Sequence, residues 1–438
     1  MSDSEISAQM RDDWNSRARE DAGYYVAFGR RNQDDAEFFA TATDVINDLE
    51  GELRRVKPED RGHWTALEIG CGPGRLMRPM SRHFVEIYGV DVSDEMISLA
   101  REKLRDIPNA HPQTNAGDNL PMFADESFDF VYSYAVFQHI PSREVVLEYL
   151  REIRRVLRTG GLARLQFNGL PRTAEAFNTW AGARFSSQDI MEFAQNNDFQ
   201  LLSLDGVSTQ YMWTTWRKQP QGWSARAEHV ADEAPENLVR IRRITNASSS
   251  EPVAPCRGRF ASISIWVENL PADAGLNHLR VTVGSSFGTV THVGPSDRSG
   301  IQQINVDLPE LEATGLLPVQ VCWLARPISP EATLRVIPPG PNVPRIISIS
   351  DAVNLMARQR IETRLVKMTL EEIARPHELE VWLGGRPVND IELFCTDPRP
   401  QRFELNFRLP EEIVPGTYPL ELRVGHRKLA PVPLQVVA

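Results

Sequence analysis

Proline divides this chain into two halves that cannot share an architecture. Residues 1–219 hold 8 of the 31 prolines and residues 220–438 hold the other 23. Proline lacks a backbone donor and fixes φ, so it breaks helix interiors and settles in turns and at strand edges. The first half is therefore expected to be helix-rich and the second β-rich. In the first, Phe39, Val45, Ile46, Leu49, Leu53 and Val56 recur at helical spacing, which predicts one amphipathic helix over 36–56. Strand-like runs at 65–69, 86–90, 128–133 and 162–167 alternate with helical patterns at 76–84, 94–104, 144–157 and 187–196. Gly160-Gly161 reads as the stop of the third of these helices. Such alternation means a parallel sheet covered on both faces. Two short apolar runs, 199–204 and 211–216, close the pattern.

The organisation that follows is an N-terminal helical segment (1–60), an α/β domain (61–219), a polar aperiodic linker (220–239) and a β-rich domain (240–337). A stiff linker around Pro338-Pro339-Gly340-Pro341 (338–344) then leads to a second β-rich domain (345–438). Strand spacing in the β-rich half fits two sandwiches of roughly 95 residues each. A fragment ending near Gln219 is expected to fold by itself.

With 48 basic and 59 acidic side chains the net charge is −11, which speaks against nucleic acid or an anionic membrane as partner. No run approaches the ~18 apolar residues of a spanning helix. The acidic start, Met1-Ser2-Asp3-Ser4-Glu5, lacks the basic-then-apolar pattern of a secretory leader, so the expected setting is the cytoplasm. Cys71, Cys256, Cys322 and Cys395 form no CxxC pair, and no metal site is expected.

The chemistry concentrates in Leu67-Glu68-Ile69-Gly70-Cys71-Gly72-Pro73-Gly74-Arg75, which closes a predicted strand and opens a predicted helix. Glycines there allow a sharp turn and a close approach of backbone to ligand. About 20 residues on, Tyr88-Gly89-Val90-Asp91 places a carboxylate where a ribose diol is gripped. Gly117-Asp118-Asn119-Leu120-Pro121 follows another predicted strand, and Phe128-Asp129-Phe130-Val131-Tyr132 comes close behind. A pyrophosphate-binding loop prefers G-x-G-x-x-G, whereas here the third glycine comes one residue early. Three carboxylates suit a ligand carrying an ammonium, hydroxyls and an exocyclic amine better than a polyanion.

Over about 64–217 these segments resemble the ordered motifs of class I S-adenosylmethionine-dependent methyltransferases. The resemblance implies a Rossmann-like sheet of seven strands, the last antiparallel, and S-adenosyl-L-methionine as cofactor. It implies that Glu68, Gly70, Cys71, Gly72 and Gly74 receive the methionine part and that Asp91 holds the ribose. Val92 and Met96 would pack near the adenine, and Asp118 would reach its amino group, with backbone groups of Asn119 and Leu120 beside it. Phe137-Gln138-His139-Ile140 matches the segment beside the transferred methyl. His139 is the histidine placed for a general base, or for a structural hydrogen bond at a strand end. The aromatic density from Trp14 to Tyr25 suggests a helical lid, with Tyr24 and Tyr25 as candidates for cation–π contact with a sulfonium. Trp180, Tyr211 and Trp213 are candidates for the acceptor side.

The implied reaction is in-line methyl transfer to an O or N nucleophile of a small-molecule or sugar-containing acceptor. The alternative is a noncatalytic cofactor-binding scaffold. Residues 240–337 are similar to a bacterial immunoglobulin-like repeat, and 345–438 to the same sandwich class. These domains would serve a protein or glycan partner, or self-association. Gly284-Ser285-Ser286-Phe287-Gly288 mimics a nucleophile elbow but lies in the β-rich half, where the strand-to-helix turn that motif needs is not expected.

Overall fold

The computed structural model describes residues 3–27, 31–56, 61–171, 177–229, 239–353, 359–397 and 401–437. They fall into two compact units, one of residues 1–20 with 42–339 and one of residues 21–41 with 340–438.

The first unit contains β1 (Thr65–Ile69), β2 (Glu86–Asp91), β3 (Ala110–Thr114), β4 (Phe128–Ser133), β5 (Leu157–Phe167), β6 (Phe199–Asp205) and β7 (Met212–Lys218). Their order in the sheet is β3-β2-β1-β4-β5-β7-β6. β1 lies between β2 and β4, parallel to both, while β7 runs antiparallel to β5 and β6. Every residue of β4 is buried, as expected for a strand covered on both faces. Three of the unit's helices begin at side-chain caps that satisfy the first free backbone N–H groups. Ser93 caps Asp94–Lys103, Ser142 caps Arg143–Val156, and Ser186 with Asp189 forms a capping box before Ser187–Asn196.

Local structure departs from the sequence pattern in three places. The single helix expected over 36–56 is two, Asp35–Ala40 and Thr43–Leu53, because the Thr41 hydroxyl donates to the Phe38 carbonyl (2.6 Å) and ends the first. β5 starts at Leu157, so Gly160-Gly161 lies inside a strand. A Cβ on Gly161 would stand 2.9 Å from the Arg158 carbonyl oxygen, and the register against β4 shifts at this point. The glycines thus accommodate an irregular strand rather than a helix stop. Within the expected linker, Trp223–His229 is helical, and residues 230–238 lie outside the described residues.

The β-rich part of this unit is joined to the α/β sheet. Strand Ser286–Val293 meets the outer edge of β6 at His292 opposite Ser203. The Leu276 N–H donates to Leu201 O (2.7 Å), and the Asn277 Oδ1 accepts from the Leu201 N–H (2.9 Å). The Gln200 amide donates to Ala272 O (3.0 Å) and Ala274 O (2.7 Å). An edge strand left bare presents unpaired backbone groups and invites aggregation; here residues 272–277 and the neighbouring strand cover it. The buried cluster that contains Leu201 and Trp216 continues through Leu276, Ile263 and Val281. Gly284 (φ +60°) turns strand Leu279–Val283 back into Ser286–Val293, with Val283 opposite Ser286, so the apparent nucleophile elbow is a hairpin.

In the second unit, one sheet holds Arg345–Asp351, Leu365–Glu371, Arg402–Arg408 and Ile391–Asp397, and a second is built around Gly416–Val424. Ile349, Met368, Leu405, Leu420 and Leu434 share one buried core. Among the described residues no helix is long and apolar enough to cross a membrane.

The covered edge of β6 reverses the expectation for the isolated α/β fragment. A chain ending at Gln219 is expected to aggregate on size-exclusion chromatography and to bind a hydrophobic dye; a monodisperse, dye-silent fragment would show that β6 needs no cover. In the full chain, Asn277→Ala should cost ~1–3 kcal/mol by leaving the buried Leu201 N–H unsatisfied, read by denaturant unfolding.

Candidate functional site

Three loops converge at the carboxyl ends of β1, β2 and β3. After β1, the N–H groups of Gly70 (2.7 Å) and Cys71 (3.0 Å) both donate to Val90 O, bending the chain into the glycine loop. Gly70 has φ +71°, and a Cβ there would stand 2.2 Å from Val136 Cγ2, in the segment after β4. Gly74, at φ +83°, is pressed against Leu104 in the same way. The Gly72 N–H donates to Asp91 Oδ2 (2.9 Å), and the Ser93 N–H donates to Asp91 Oδ1 (2.9 Å). One carboxylate therefore ties the glycine loop to the end of β2. Burial, only partly offset by these bonds, pushes its pKa up to about 6.

Glu68 is buried inside β1 and accepts from the Tyr132 hydroxyl (2.9 Å). Burial raises its pKa to about 8 against that hydrogen bond and the attraction of Arg75. Cys71 is a buried thiol whose pKa burial also raises. Met96 is buried in the first turn of its helix, its N–H taken by Ser93 Oγ (3.1 Å), while Val92 packs near Gly117.

At the end of β3, the side-chain oxygens Oδ1 of Asn115, Asp118 and Asn119 are all buried without a hydrogen-bond partner. Buried acceptors of this kind are costly unless a ligand completes them. The Asn115 amide is held by the Tyr149 hydroxyl (2.8 Å), so its free oxygen is oriented. Leu120 departs from its expected role. Its N–H donates to Glu152 Oε2 (2.8 Å), so that backbone group serves the fold rather than a ligand.

The helix Asp3–Ala27 is broken at Asp21 (φ −170°, ψ 88°). Before the break, Arg11 donates to Val92 O (3.2 Å) and Asn115 O (3.3 Å), and Asn15 Oδ1 accepts from Ser93 Oγ (2.7 Å). Met10 and Ser7 lie against Gly117. Ser7, Met10, Arg11, Trp14, Asn15 and Ala18 follow a three-and-four spacing, and that periodicity was the signal available in the sequence. Tyr24 and Tyr25 come after the break, where Asp21 Oδ1 accepts the Tyr24 N–H (3.0 Å), and they belong to the other compact unit.

On the far side of the glycine loop, His139 is buried with both nitrogens engaged. Its Nδ1–H donates to Trp180 O (3.0 Å), which leaves Nε2 to accept from the Gln138 amide (3.2 Å). Gln138 is held in turn by Gln166, whose oxygen accepts the Ala135 N–H (2.9 Å). Burial lowers the His139 pKa to about 4, so the ring is neutral. Tyr134 stacks on Trp213 (5.3 Å, interplanar 1°) and more loosely on Tyr211 (6.4 Å). The Arg75 guanidinium lies 5.5 Å from the Tyr134 ring and that of Arg164 4.8 Å from Trp213. Arg164 is fixed by Asp48 (2.8 and 2.9 Å) and by the hydroxyls of Ser203 and Thr215. Among the described residues no group of three or more metal-ligating side chains assembles.

Glu68 gives the apoprotein a signed pH dependence. Its folded pKa lies above the ordinary value of 4.5, so its contribution to stability is complete below that value and is lost as pH rises through about 8. The melting temperature should fall across that window, and Glu68→Gln should flatten the slope. An equally steep profile in the variant would assign the effect to other groups.

Residues 67–165 match the family described as Methyltransferase domain. Phosphoethanolamine N-methyltransferase 2 of Caenorhabditis elegans is 27% identical over 155 residues, covering 34% of this chain and 35% of that protein. Ubiquinone biosynthesis O-methyltransferase of Roseobacter denitrificans is 28% identical over 120 residues, covering 27% of this chain and 47% of that one. A solved structure of Haemonchus contortus phosphoethanolamine N-methyltransferase 1, in complex with phosphoethanolamine and S-adenosylhomocysteine, aligns with a TM-score of 0.38 at 16% identity, over 54% of this chain and 57% of that chain. The chain thus spans 35% and 47% of the length of the two curated relatives. The oriented, unsatisfied acceptors beside a glycine loop and the family match over the same strands lead to one conclusion: residues 67–165 form an S-adenosylmethionine-dependent methyltransferase domain.

Proposed function

We propose that the whole chain transfers a methyl group from S-adenosylmethionine to an oxygen or nitrogen nucleophile of a small-molecule or sugar-containing metabolite. When bound, this cofactor supplies an electrophilic methyl carbon on a positively charged sulfur. The observation that carries the reading is the set of three buried acceptors, Asn115, Asp118 and Asn119 Oδ1, with no partner in the protein. They suit the exocyclic amine of adenine. Asp91, already oriented by two backbone N–H groups, suits the ribose hydroxyls, and Glu68 suits an ammonium, whose charge would favour its ionised form. Val92 and Met96 would pack against the adenine, and Gly70, Cys71, Gly72 and Gly74 would leave room for the methionine part.

In this reading residues 5–19 roof the cofactor site through Arg11 and Asn15, in place of the Tyr24 and Tyr25 contacts expected from the sequence. His139 is a positioning residue: a neutral, weakly basic ring that holds Trp180 O and Gln138. Orientation of the reactants supplies much of the rate in such a transfer. We read the two β-rich parts as immunoglobulin-like sandwiches that serve a protein or glycan partner or self-association. The thiols of Cys256 and Cys322, free and buried, fit work in a reducing, cytoplasmic setting.

Incubation with cofactor labelled in its methyl group and a metabolite extract should transfer label to a low-molecular-weight product. Label found nowhere but in unreacted cofactor would favour the scaffold alternative. Asp91→Ala should weaken S-adenosylhomocysteine binding at least ten-fold in calorimetry, since charge-assisted hydrogen bonds contribute ~1.5–3 kcal/mol. An unchanged affinity would remove Asp91 from the site.

A further inference from the structure

We propose that Trp14 and Trp180 form a subsite for an alkylammonium group of the methyl acceptor, and that the protein's own Arg17 fills this subsite in the present structure. The inference rests on the methyltransferase reading above and deepens it by naming the chemical class of acceptor.

The Arg17 guanidinium lies 4.6 Å from the centroid of the Trp14 ring and 5.5 Å from that of Trp180. It also donates to Thr179 O (3.3 Å) and to Thr179 Oγ1 (3.0 Å). The Thr179 hydroxyl gives its own proton to Asp13 Oδ2 (2.6 Å), which turns its lone pairs toward Arg17. Two π faces, a carbonyl oxygen, a hydroxyl oxygen and a carboxylate one hydrogen bond away thus surround a single cation. This is the environment in which aromatic cages hold substituted ammonium groups. His139 lies edge-on to Trp14 at 5.5 Å, and its neutral ring adds no opposing charge.

The cage is built rather than improvised. Asn178 Oδ1 accepts the N–H groups of Trp180 and Ala181 (both 2.8 Å), so the loop folds on its own side chain. The Gly182 N–H donates to Gln138 O and the Ala183 N–H to Ile140 O (both 2.8 Å). A Cβ on Gly182 would stand 2.6 Å from Ile140 O, so the loop sits on the 137–140 segment at the closest approach that backbone allows. The same stretch of chain, through Val136, packs on Gly70 of the cofactor loop. A rigid cage loses little entropy when a ligand enters. Trp180 remains half exposed, which leaves an entry from solvent. A methylated ammonium is more weakly hydrated than a guanidinium tethered to a helix. It should therefore compete for the indole faces, and choline and tetramethylammonium should bind better than ethanolamine.

The test is calorimetric titration of the full chain, saturated with S-adenosylhomocysteine, with choline, tetramethylammonium and the neutral isostere 3,3-dimethylbutan-1-ol. Both cations are expected to bind and the isostere to fail. Arg17→Ala should tighten choline binding about five-fold or more by vacating the cage, and Trp180→Leu should abolish it. Equal binding of choline and its neutral isostere, or no choline binding by Arg17→Ala with S-adenosylhomocysteine binding intact, would overturn the proposal. Should Arg17→Ala fail to fold, wild type against Trp180→Leu decides, and equal choline affinity in those two overturns it as well. Failure of the wild type to bind S-adenosylhomocysteine would instead remove the methyltransferase reading on which the proposal stands.

Discussion

The site depends on the Asp91 carboxylate. One oxygen accepts the N–H of Gly72 and the other that of Ser93, so a single side chain closes the glycine loop against the end of β2 and starts the helix that follows. Both N–H groups would otherwise be free donors at a sharp bend. Anchoring them to a buried acid keeps that acid's pKa near 6 when burial alone would raise it further. The geometry of the loop and the ionisation of Asp91 are therefore one problem with one solution. Parallel pairing of β1 with both β2 and β4 then brings Glu68, the glycine loop and the 134–140 segment to the same edge of the sheet.

Across that edge runs the helix of residues 5–19, which holds both backbone and side-chain groups. Arg11 takes the carbonyls of Val92 and Asn115, and Asn15 takes the cap of the helix after β2. Asp13 and Arg17 both meet Thr179. One helix thus reaches from the ends of β2 and β3 to Thr179, and Met10, Ile6 and Trp14 pack it on the hydrophobic core. Arg75, Tyr134, Trp213 and Arg164 form a ladder fixed at its far end by Asp48.

The first β-rich part belongs to the same physical unit because β6 is the last strand of the α/β sheet and needs a cover. Residues 272–277 and the strand Ser286–Val293 take up its outward backbone groups, and the Trp223 indole binds Asp273 from the intervening helix. A module that reads in sequence as a separate bead is here an extension of the α/β sheet.

Much of this was legible in the residues. The proline boundary, the alternation of strand and helix, the glycine loop, Glu68, Asp91 and Asp118 are local signals, set by backbone sterics and by periodicity within ten or twenty residues. The tertiary structure alone decided the rest, since it depends on which distant atoms meet. The Leu120 N–H is claimed by Glu152, 32 residues away, and both nitrogens of His139 are engaged, one of them by a carbonyl 41 residues off. Tyr24 and Tyr25, the aromatic lid candidates of the sequence, fall beyond a break at Asp21, where a side chain outcompetes the helix for the Tyr24 N–H. Sequence specifies what each segment wants locally; burial and partner choice across the fold determine which of its polar groups remain for a ligand.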